Sequence, residues 1–519
     1  MCGISCLVSE KRNWSILQKM HHHQVNRGPD GHGSYIEGNI GICHNRLSIV
    51  DLSNTARQPM ESTRWVLSYN GELYNHIDLR QKLGPMHWAS HSDTLTLLNC
   101  IEHKGIEWTL QNIEGMHSFL AYNKVEKKIY LAVDPYGIKP MFWYADYDTF
   151  AVASSPGALT HLKDKWSLDT GALFNMLALG ATKEPLFEGM NRLSGGMMLI
   201  YDLENKSVTT TRYYERKEHQ CTEGDLIDVV KESIRSVKMA DVPVFMFLSG
   251  GIDSSIVASQ CYGMSAVHLD SPEAKFAQEV AEKYGNPLHF ILPKEYDAEE
   301  CLKDYAFQSG DCSAAAIVPY IVSKMVSKFG KVAISANGSD EICFGYHRMM
   351  DRVSLNQFKH IFRELPHNWG NYKDYNSTRE LELDTYVQYD LNKTLDFASM
   401  CFGLEIRVPY LNKTVVEMAL SLQRKDHVNG YGDKSILKRF LKSEGFSDEF
   451  LTRPKLGFSL FTHPSGYEVL KLKGMALLKD KFNISPDFTG VYSGRDKRYF
   501  ENIAAAFHSW YKTWRDKLL

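Results

Sequence analysis

The feature that most constrains the fold of this chain is a change of hydrophobic pattern near residue 214. Before it, short apolar runs alternate with turn residues, as in RWVLSYNGELYN and KKIYLAVDPYG, which is typical of packed antiparallel sheets. After it, the apolar run VPVFMFL (242–248) begins an alternation of strands and helices that predicts a doubly wound parallel sheet. The chain has 519 residues, too many for one ordinary core. We therefore expect an α+β domain of antiparallel sheets at 2–214 and an α/β domain at 215–519.

Composition narrows the class of protein. The net charge is −3 and no stripe of Lys and Arg is visible, which argues against nucleic acid because phosphate binding needs clustered cations. No apolar run reaches the length of a membrane span, and the N-terminus lacks the pattern of a secretory signal. Ten cysteines without a CxxC pair indicate neither a disulfide framework nor a zinc site. We expect a cytoplasmic, reduced protein that acts on small molecules, with no nucleic-acid or membrane partner.

The chain starts MCGISC, and the cysteine at position 2 has two interpretations. It is either an inert core thiol, like Cys6 or Cys43, or a nucleophile. If Met1 is removed, the Cys2 thiol lies beside a free α-amine that can serve as its general base. The second interpretation is favoured by four short segments that follow in order: NRGPDGHG (26–33), HNRLSIVD (44–51), YNGELYN (69–75) and SDT (92–94).

The segment SGGIDSS (249–255) lies where the first strand of the second half is predicted to end and a helix to begin. At such a junction the backbone N–H groups and the helix dipole bind anions, and glycines let phosphate oxygens approach the backbone. The segment lacks the Lys-Ser/Thr pair of a Walker A loop and is not a GxGxxG motif. It therefore predicts a phosphate site of another kind, with hydroxyl donors from Ser249, Ser254 and Ser255.

Each of these residues also has an ordinary structural explanation when it is taken alone. Arg46 could be a surface charge, Asn70-Gly71 could form a hairpin turn, and Asp93 could cap a helix. Together with the MCG start, these segments resemble the class II, N-terminal-nucleophile glutamine amidotransferases over about the first 200 residues. The resemblance implies an N-terminal-nucleophile sandwich in which Cys2 attacks the side-chain amide of glutamine and releases ammonia. The implied glutamine-binding residues are Arg46, Leu47, Ser48, Ile49, Val50, Asn70, Gly71, Glu72 and Asp93.

The same resemblance implies a role for each polar group. Arg46 would hold the glutamine carboxylate, for which a guanidinium fork is well shaped. The Asn70 side chain and the Gly71 N–H would form the oxyanion hole. Glu72 and Asp93 would hold the α-amino end of the substrate.

Five further motifs occur in order in the second half: SPEAKFAQEVA (271–281), SANGSDEICFGY (335–346), GLEIRVPYLN (403–412), GDKSILKRFL (432–441) and RPKLGFS (453–459). With the first half, they resemble the glutamine-hydrolysing asparagine synthetases over nearly the whole chain. The resemblance implies an ATP-pyrophosphatase domain that adenylates a carboxylate and amidates it with ammonia from an internal tunnel. It also implies a possible homodimer.

The implied nucleotide-binding residues are Leu248, Ser249, Gly250, Gly251, Asp253, Ser254, Ser255, Val267, Ser335 and Ala336. By the same resemblance, Asp253 and Asp340 would share a Mg²⁺ ion, which prefers carboxylate and phosphate oxygens. Lys434 and Lys455 would stabilise charge at the reacting phosphorus. Glu405 is a candidate for the acceptor site, although a buried ion pair with Arg407 explains it equally well.

One departure from the family concerns the acceptor. Asparagine synthetases usually carry an acid in S-G-E-G-x-D-E, whereas this chain has SANGSDE with Asn337 at that position. Asparagine cannot carry charge or accept a proton from ammonia. The segment DCSAAAIVPY also lacks the arginine that one branch of the family has there. Asn337 is therefore an acceptor-site candidate that leaves the identity of the acceptor open.

Three interpretations follow. The first is a glutamine-dependent, ATP-cleaving synthetase that makes asparagine from aspartate. The second keeps both half-reactions but uses another carboxylate, such as a sugar acid, an antibiotic precursor or a lactam-forming substrate. The third is a non-enzymatic scaffold, which the intact Cys2, Arg46, Asp93 and SGGIDSS oppose.

Overall fold

The computed structural model describes residues 1–262, 265–268, 273–291, 296–346, 375, 377–453, 467–484 and 497–519. In the first half, two six-stranded sheets contain only antiparallel pairs. Their strands are β1 (Gly3–Ser9), β2 (Gly31–Glu37), β3 (Ile40–Arg46), β4 (Met60–Glu61), β5 (Trp65–Leu73), β6 (Gly115–Asn123), β7 (Lys128–Val133), β8 (Phe142–Ala145), β9 (Thr149–Ala153), β10 (Asn191–Arg192), β11 (Met197–Asp202) and β12 (Ser207–Arg212). The strand orders are β10–β8–β9–β1–β3–β2 and β12–β11–β7–β6–β5–β4.

The two sheets form a sandwich because each strand alternates apolar side chains toward the partner sheet. Ile4 and Cys6 of β1 share one buried cluster with Val66 of β5 and Leu120 of β6. The antiparallel architecture predicted for the first half is confirmed. In the first sheet β1 lies between β3 and β9, so Cys2 comes directly before a central strand.

Helices cover this sandwich. They are α1 (Trp14–His23), α2 (His76–Leu83), α3 (Asp93–Lys104), α4 (Ile106–Asn112), α5 (Pro156–Leu159) and α6 (Thr170–Leu179). The cap of α3 is Ser92, whose hydroxyl accepts a hydrogen bond from the Leu95 N–H at 3.3 Å. Asp93 is therefore the first helical residue, and its carboxylate is available for the interior.

The second half contains parallel pairs, as predicted. Strands β13 (Val244–Met246), β16 (Val332–Ile334) and β17 (Glu405–Arg407) form one sheet in the order β13–β16–β17, and β14 (Ser265–His268) pairs with β15 (Leu288–Ile291). The sequence predicts β13, β14, β15 and β16 but not β17. The strand predicted at 242–248 is shorter, because only three of its residues pair with β16.

Helices flank these strands. Those described are α7 (Glu223–Ser236), α8 (Ile252–Gln260), α9 (Ala274–Tyr284), α10 (Ala298–Ser309), α11 (Ile317–Val326), α12 (Ser339–Ile342), α13 (Thr378–Glu382), α14 (Lys393–Met400), α15 (Lys413–Ser421), α16 (Arg424–His427), α17 (Ser435–Ser443), α18 (Asp448–Thr452), α19 (Tyr467–Phe482) and α20 (Lys497–Trp514), with a π-helix at Leu383–Asn392. Helix α9 ends at Gly285 in the left-handed conformation, as its sequence predicts. No helix in the described part of the chain is long and apolar enough to cross a membrane.

The two halves meet along the loop that follows β3. Leu47, Ile49 and Val50 are buried in one cluster with Val332 of β16. The Asp51 N–H donates to the Asp241 carboxylate at 2.7 Å. This loop therefore joins the sandwich to the parallel sheet. The boundary at residue 214 stays a prediction.

Candidate active sites

Cys2 is buried directly before β1. Its backbone N–H donates to Asn70 Oδ1 at 2.8 Å, and its carbonyl accepts from Arg27 Nε at 3.1 Å. Burial raises the pKa of the Cys2 thiol, and the N-terminal ammonium, the Leu47 N–H and Arg46 offset only part of this rise. The resting thiol is therefore protonated, and it needs a base before it can attack.

The predicted oxyanion-hole residues are next to this cysteine. Asn70 and Gly71 lie on β5 opposite Ser118 and His117 of β6, and Asn70 Nδ2 is 3.4 Å from Ser118 Oγ. A Cβ at Gly71 would lie 2.1 Å from the Met116 carbonyl oxygen, so only glycine fits between the strands. The structure thus brings the Asn70 amide and the Gly71 backbone together beside Cys2.

Glu72 and Asp93 are two buried carboxylates, and Asp93 is close enough to raise the pKa of Glu72. Asp93 Oδ2 accepts the Leu73 N–H at 3.0 Å. Burial raises the pKa of Asp93 to about 6, although the backbone N–H groups of Leu73 and Thr94 partly oppose the shift. Burial and Asp93 raise the pKa of Glu72 well above its ordinary value. Such a pair suits a cationic ligand, which would relieve the repulsion between the carboxylates.

The residues of segment 46–50 lie in two different environments, one near Cys2 and one at the contact between the halves. The Arg46 guanidinium donates to the Ser53 carbonyl at 2.8 Å and to the Asp51 carbonyl, and it is close enough to lower the pKa of the Cys2 thiol. The Ser48 N–H donates to Asp30 at 2.7 Å. Of the residues predicted for glutamine, Leu47 contacts the Cys2 pocket through its backbone, whereas Ile49 and Val50 belong to the contact between the halves.

A second pocket opens where β13 and β16 end. The cavity has a volume of about 570 Å³, and it lies at the carboxyl ends of neighbouring parallel strands, where α/β proteins bind ligands. Ten of the predicted residues line it: Leu248, Ser249, Gly251, Asp253, Ser254, Ser335, Ala336, Asn337, Asp340 and Lys434.

The SGGIDSS loop is held by its own hydroxyls. The Gly251 N–H donates to Ser249 Oγ at 3.2 Å, and Ser255 Oγ donates to the Gly251 carbonyl at 2.7 Å. Gly250 does not line the cavity, but the loop depends on it. Its φ is +83°, and a Cβ would lie 2.5 Å from the backbone nitrogen of Ala277 in α9.

Lys434 joins the two carboxylates predicted to bind metal. Its buried Nζ is 2.5 Å from Asp253 Oδ2 and also contacts Asp340 Oδ1. Burial alone would lower the pKa of Lys434, but the two carboxylates raise it well above the ordinary value. The site therefore keeps a permanent positive charge beside two negative ones.

Asp253 and Asp340 also fit a magnesium ion. Hard oxygen donors are what Mg²⁺ prefers, and it is usually bound by one or two carboxylates plus phosphate oxygens. No three metal-ligating side chains cluster anywhere in the described part of the chain, so the ion would need the oxygens of a bound nucleotide. Ser339 Oγ donates to Asp253 Oδ1 at 2.6 Å, which orients that carboxylate.

The remaining predicted residues lie elsewhere. Glu405 is on β17, where its Oε2 is 3.2 Å from the amino group of Met1, and it is not among the described residues that line the cavity. This position favours the alternative interpretation, a buried ion pair with Arg407, which is 2.7 Å away. Val267 belongs to β14, and Lys455 lies outside the described residues.

Two arginines near the sites were missed at the sequence level. Arg27, within the quoted NRGPDGHG segment, binds the Cys2 carbonyl and pairs with Asp396 of α14 at 2.9 Å. Arg453, at the start of RPKLGFS, lines the cavity, donates to the Gly250 carbonyl and lies 4.0 Å from the Phe276 ring centre. Each lies within a sequence motif of its site, but only long-range contacts reveal its partners.

Gly250 provides a test of the loop. We expect Gly250→Ala to raise the KM for ATP at least about tenfold and to lower the melting temperature, because the new methyl group must displace α9. Gly285→Ala is the matched control, since its φ is +69° and no heavy atom lies within 4 Å of its Cβ. Both variants carry the same left-handed strain of about 1 kcal/mol. Equal KM values for ATP in the two variants would contradict a role for the close packing at Gly250.

The chain combines a buried thiol site in a β-sandwich with a cavity at the ends of parallel strands in an α/β domain. A family model described as a glutamine amidotransferase domain matches residues 1–214, and one described as asparagine synthase matches residues 225–517. The protein is thus a glutamine-dependent ligase. The chain belongs to the asparagine synthase family.

Relatives with this family's name match most of the chain. Asparagine synthetase (glutamine-hydrolyzing) 1 of Bacillus subtilis is 26% identical, over 85% of this chain and 83% of its own length. Asparagine synthetase B of Escherichia coli is 27% identical, over 79% of this chain and 73% of its own. A solved glutamine phosphoribosylpyrophosphate amidotransferase from B. subtilis covers 66% of this chain and 77% of its own, at 16% identity and a TM-score of 0.32. So low a score says nothing further about this chain.

Proposed function

We propose that the protein hydrolyses glutamine at Cys2 and uses the ammonia to convert aspartate to asparagine, with release of AMP and pyrophosphate from ATP. One observation carries the proposal: a single parallel sheet contributes to both pockets. The loops after β13 and β16 line the nucleotide cavity, whereas Arg407 of β17 pairs at 3.5 Å with Glu72, which follows the proposed oxyanion residues. Ammonia made at one site is thereby produced beside the domain that consumes it.

Glutamine hydrolysis requires a chain that begins at Cys2. With Met1 in place the Cys2 nitrogen is an amide that donates to Asn70, and an amide cannot act as a base. In the mature chain the α-amine takes the thiol proton, and the thiolate attacks the side-chain amide carbon. Asn70 and Gly71 donate to the resulting oxyanion. The amine then gives its proton to the departing ammonia, and water hydrolyses the thioester to glutamate.

The substrate's own charges match the rest of the pocket. Its α-carboxylate would pair with Arg46, and its α-ammonium with Glu72 and Asp93. Leu47 and Ser48 would contribute their backbone polar groups to this site. Ile49 and Val50 would hold the loop against the second half.

In the second pocket, loop 249–255 would hold the phosphates of ATP, with Ser249, Gly251 and Ser254 at their oxygens. Mg²⁺ bound by Asp253 and Asp340 would neutralise phosphate charge. Lys434 would stabilise the negative charge that develops as the acceptor carboxylate displaces pyrophosphate, and we propose the same for Lys455. Ammonia then attacks the acyl-adenylate and displaces AMP.

Asn337 fits a carboxylate acceptor. Its Oδ1 accepts from Ser335 Oγ at 3.0 Å, which orients its amide nitrogen as a donor in the cavity. An amide at this position adds no negative charge, so an anionic acceptor meets less repulsion there than beside an acid.

The direct experiment is product analysis. Protein confirmed by intact mass to begin at Cys2 is incubated with Mg-ATP, glutamine and aspartate. Pyrophosphate and asparagine in equal amounts are expected. Glutamate without either product would reject aspartate, and a panel of other carboxylic acids would then identify the acceptor. A homodimer and a cytoplasmic location stay predictions.

Glutamine use should depend on pH through Asp93, whose pKa burial raises to about 6. Below that pH the carboxyl is neutral and cannot bind the α-ammonium of glutamine. We expect kcat/KM for glutamate release to rise about tenfold between pH 5 and pH 7. The matched measurement is synthesis from ammonium chloride, corrected for the ionisation of ammonia, which bypasses Asp93. A flat glutamine profile over this range would contradict the assignment.

A further inference from the structure

Strand β17 belongs to the synthetase sheet, yet two of its side chains face the amidotransferase half. Glu405 and Arg407 lie on one face because side chains alternate along a strand, and both are completely buried. Arg407 Nε donates to Glu405 Oε1 at 2.7 Å, and its Nη1 donates to the carbonyls of Val237 and Met239 at 2.7 and 2.6 Å. The guanidinium is therefore fixed within the second half.

The remaining nitrogen of this guanidinium reaches across the domain boundary. Arg407 Nη2 is 3.5 Å from Glu72 Oε1, and the Glu72 side chain is only 5% exposed. Glu72 lies on β5, directly after the proposed oxyanion residues. A buried carboxylate is costly without a cation nearby. In the described part of the chain, the ion pair of Glu72 is formed with Arg407.

The surroundings of Glu72 are mostly unfavourable to a negative charge. Burial, Asp93 and Glu405 raise the pKa of Glu72, while Arg407 and the N-terminal amine lower it. The titratable and charged groups around it are Asp93 from α3, Glu405 and Arg407 from β17, the amino terminus, and the phenols of Tyr69 and Tyr74. Loss of Arg407 therefore removes a cation that lowers the pKa of Glu72.

We infer that Arg407 is a positioning residue of the glutamine site, which holds the Glu72 carboxylate, through a cross-domain ion pair, in the place that a substrate α-ammonium needs. This inference rests on the proposed function, in which Glu72 binds that ammonium. It makes the affinity for glutamine depend on a residue of the synthetase sheet. Movement of β17 would therefore alter glutamine binding without any change in the sandwich.

The test is Arg407→Met in the full chain, with glutamate release as the readout. We expect the KM for glutamine to rise at least about tenfold while kcat changes less than about threefold. The lower limb of the pH profile should also move to higher pH. Synthesis from ammonium chloride should be retained, because that route does not use Glu72. Arg192→Met is the control, since Arg192 is also buried and lies near the second half, 5.2 Å from the Tyr389 ring centre.

A double-mutant comparison separates positioning from a general structural role. If Arg407 acts through Glu72, Arg407→Met has little further effect on KM in a Glu72→Gln background. An unchanged KM in Arg407→Met, an equal rise in both backgrounds, or a parallel loss of glutamine- and ammonia-dependent activity would each overturn the inference. If Arg407→Met does not fold, Arg407→Lys replaces it, because one ammonium cannot bridge Glu405 and Glu72 as a guanidinium does. We then expect the KM for glutamine to rise at least about threefold. An unchanged KM in this variant would overturn the inference.

Failure of the proposed function gives a different result. Glutamate release needs no acceptor, so an unmutated protein that lacks it would reject glutamine hydrolysis itself. An unmutated protein that hydrolyses glutamine but makes no asparagine would reject only aspartate, and the Arg407 comparison would still be measurable.

Discussion

Lys434→Met is expected to reduce pyrophosphate release about 10²–10³-fold while leaving glutamine hydrolysis close to that of the unmutated protein. Lys434 Nζ contacts both Asp253 and Asp340 inside the cavity. The variant loses the charge that would stabilise the reacting phosphate and leaves two carboxylates facing each other. Both effects act on the second half-reaction. The measurement is the initial rate of pyrophosphate release with saturating Mg-ATP, aspartate and ammonium chloride.

Lys442→Met is the matched control for this prediction. Lys442 lies on α17, the helix that follows Lys434, but its side chain is 44% exposed and pairs with the exposed Asp448. An exposed ion pair is worth little, so the control should behave as the unmutated protein does. Glutamate release by Lys434→Met reports that the chain has folded. If pyrophosphate release by Lys434→Met equals that of the control, Lys434 has no part in the chemistry.

Much of the site could be predicted because its signals are local. The SGGIDSS segment carries its own hydroxyl donors and glycines, and it spans the junction after β13 and the first turn of α8, at the strand-to-helix position that the sequence predicts. The strand–helix alternation around it predicts a parallel sheet, and parallel strands bring their carboxyl ends to one edge. Asp253 and Asp340 could therefore be expected together, although 86 residues separate them in the sequence.

Strand β17 could not be predicted in the same way. It has three residues, and among the described strands it pairs with β16 alone, so its strand character comes from pairing and not from a local pattern. Resemblance to the family makes Glu405, in the motif GLEIRVPYLN, a candidate for the acceptor site, with a buried ion pair to Arg407 as the equal alternative. The side-chain alternation of β17 instead turns Glu405 and Arg407 toward Glu72 and the N-terminus, and no short-range feature of the sequence encodes that contact.

Cys2→Ala is expected to abolish glutamine-dependent synthesis, by at least about 10³-fold, while synthesis from ammonium chloride continues at nearly the unmutated rate. The proposed nucleophile has no substitute in the pocket, since alanine offers neither a thiol nor any group that can form a thioester. Ammonium chloride supplies the second half-reaction directly, so its rate also shows that the nucleotide cavity is intact. The measurement is asparagine formation from each nitrogen source, with glutamate release followed in parallel.

Cys6→Ala distinguishes a loss of chemistry from a loss of packing. Cys6 lies on β1, the strand that follows Cys2, in the core between the sheets, and it is also buried. Its removal leaves a small cavity that costs about 1 kcal/mol or more of stability, but the proposed site is untouched. We therefore expect Cys6→Ala to lower the melting temperature and to keep both activities. If Cys6→Ala lost glutamine use as completely as Cys2→Ala, the effect would come from the sandwich core, and the assignment of Cys2 as the nucleophile would fall.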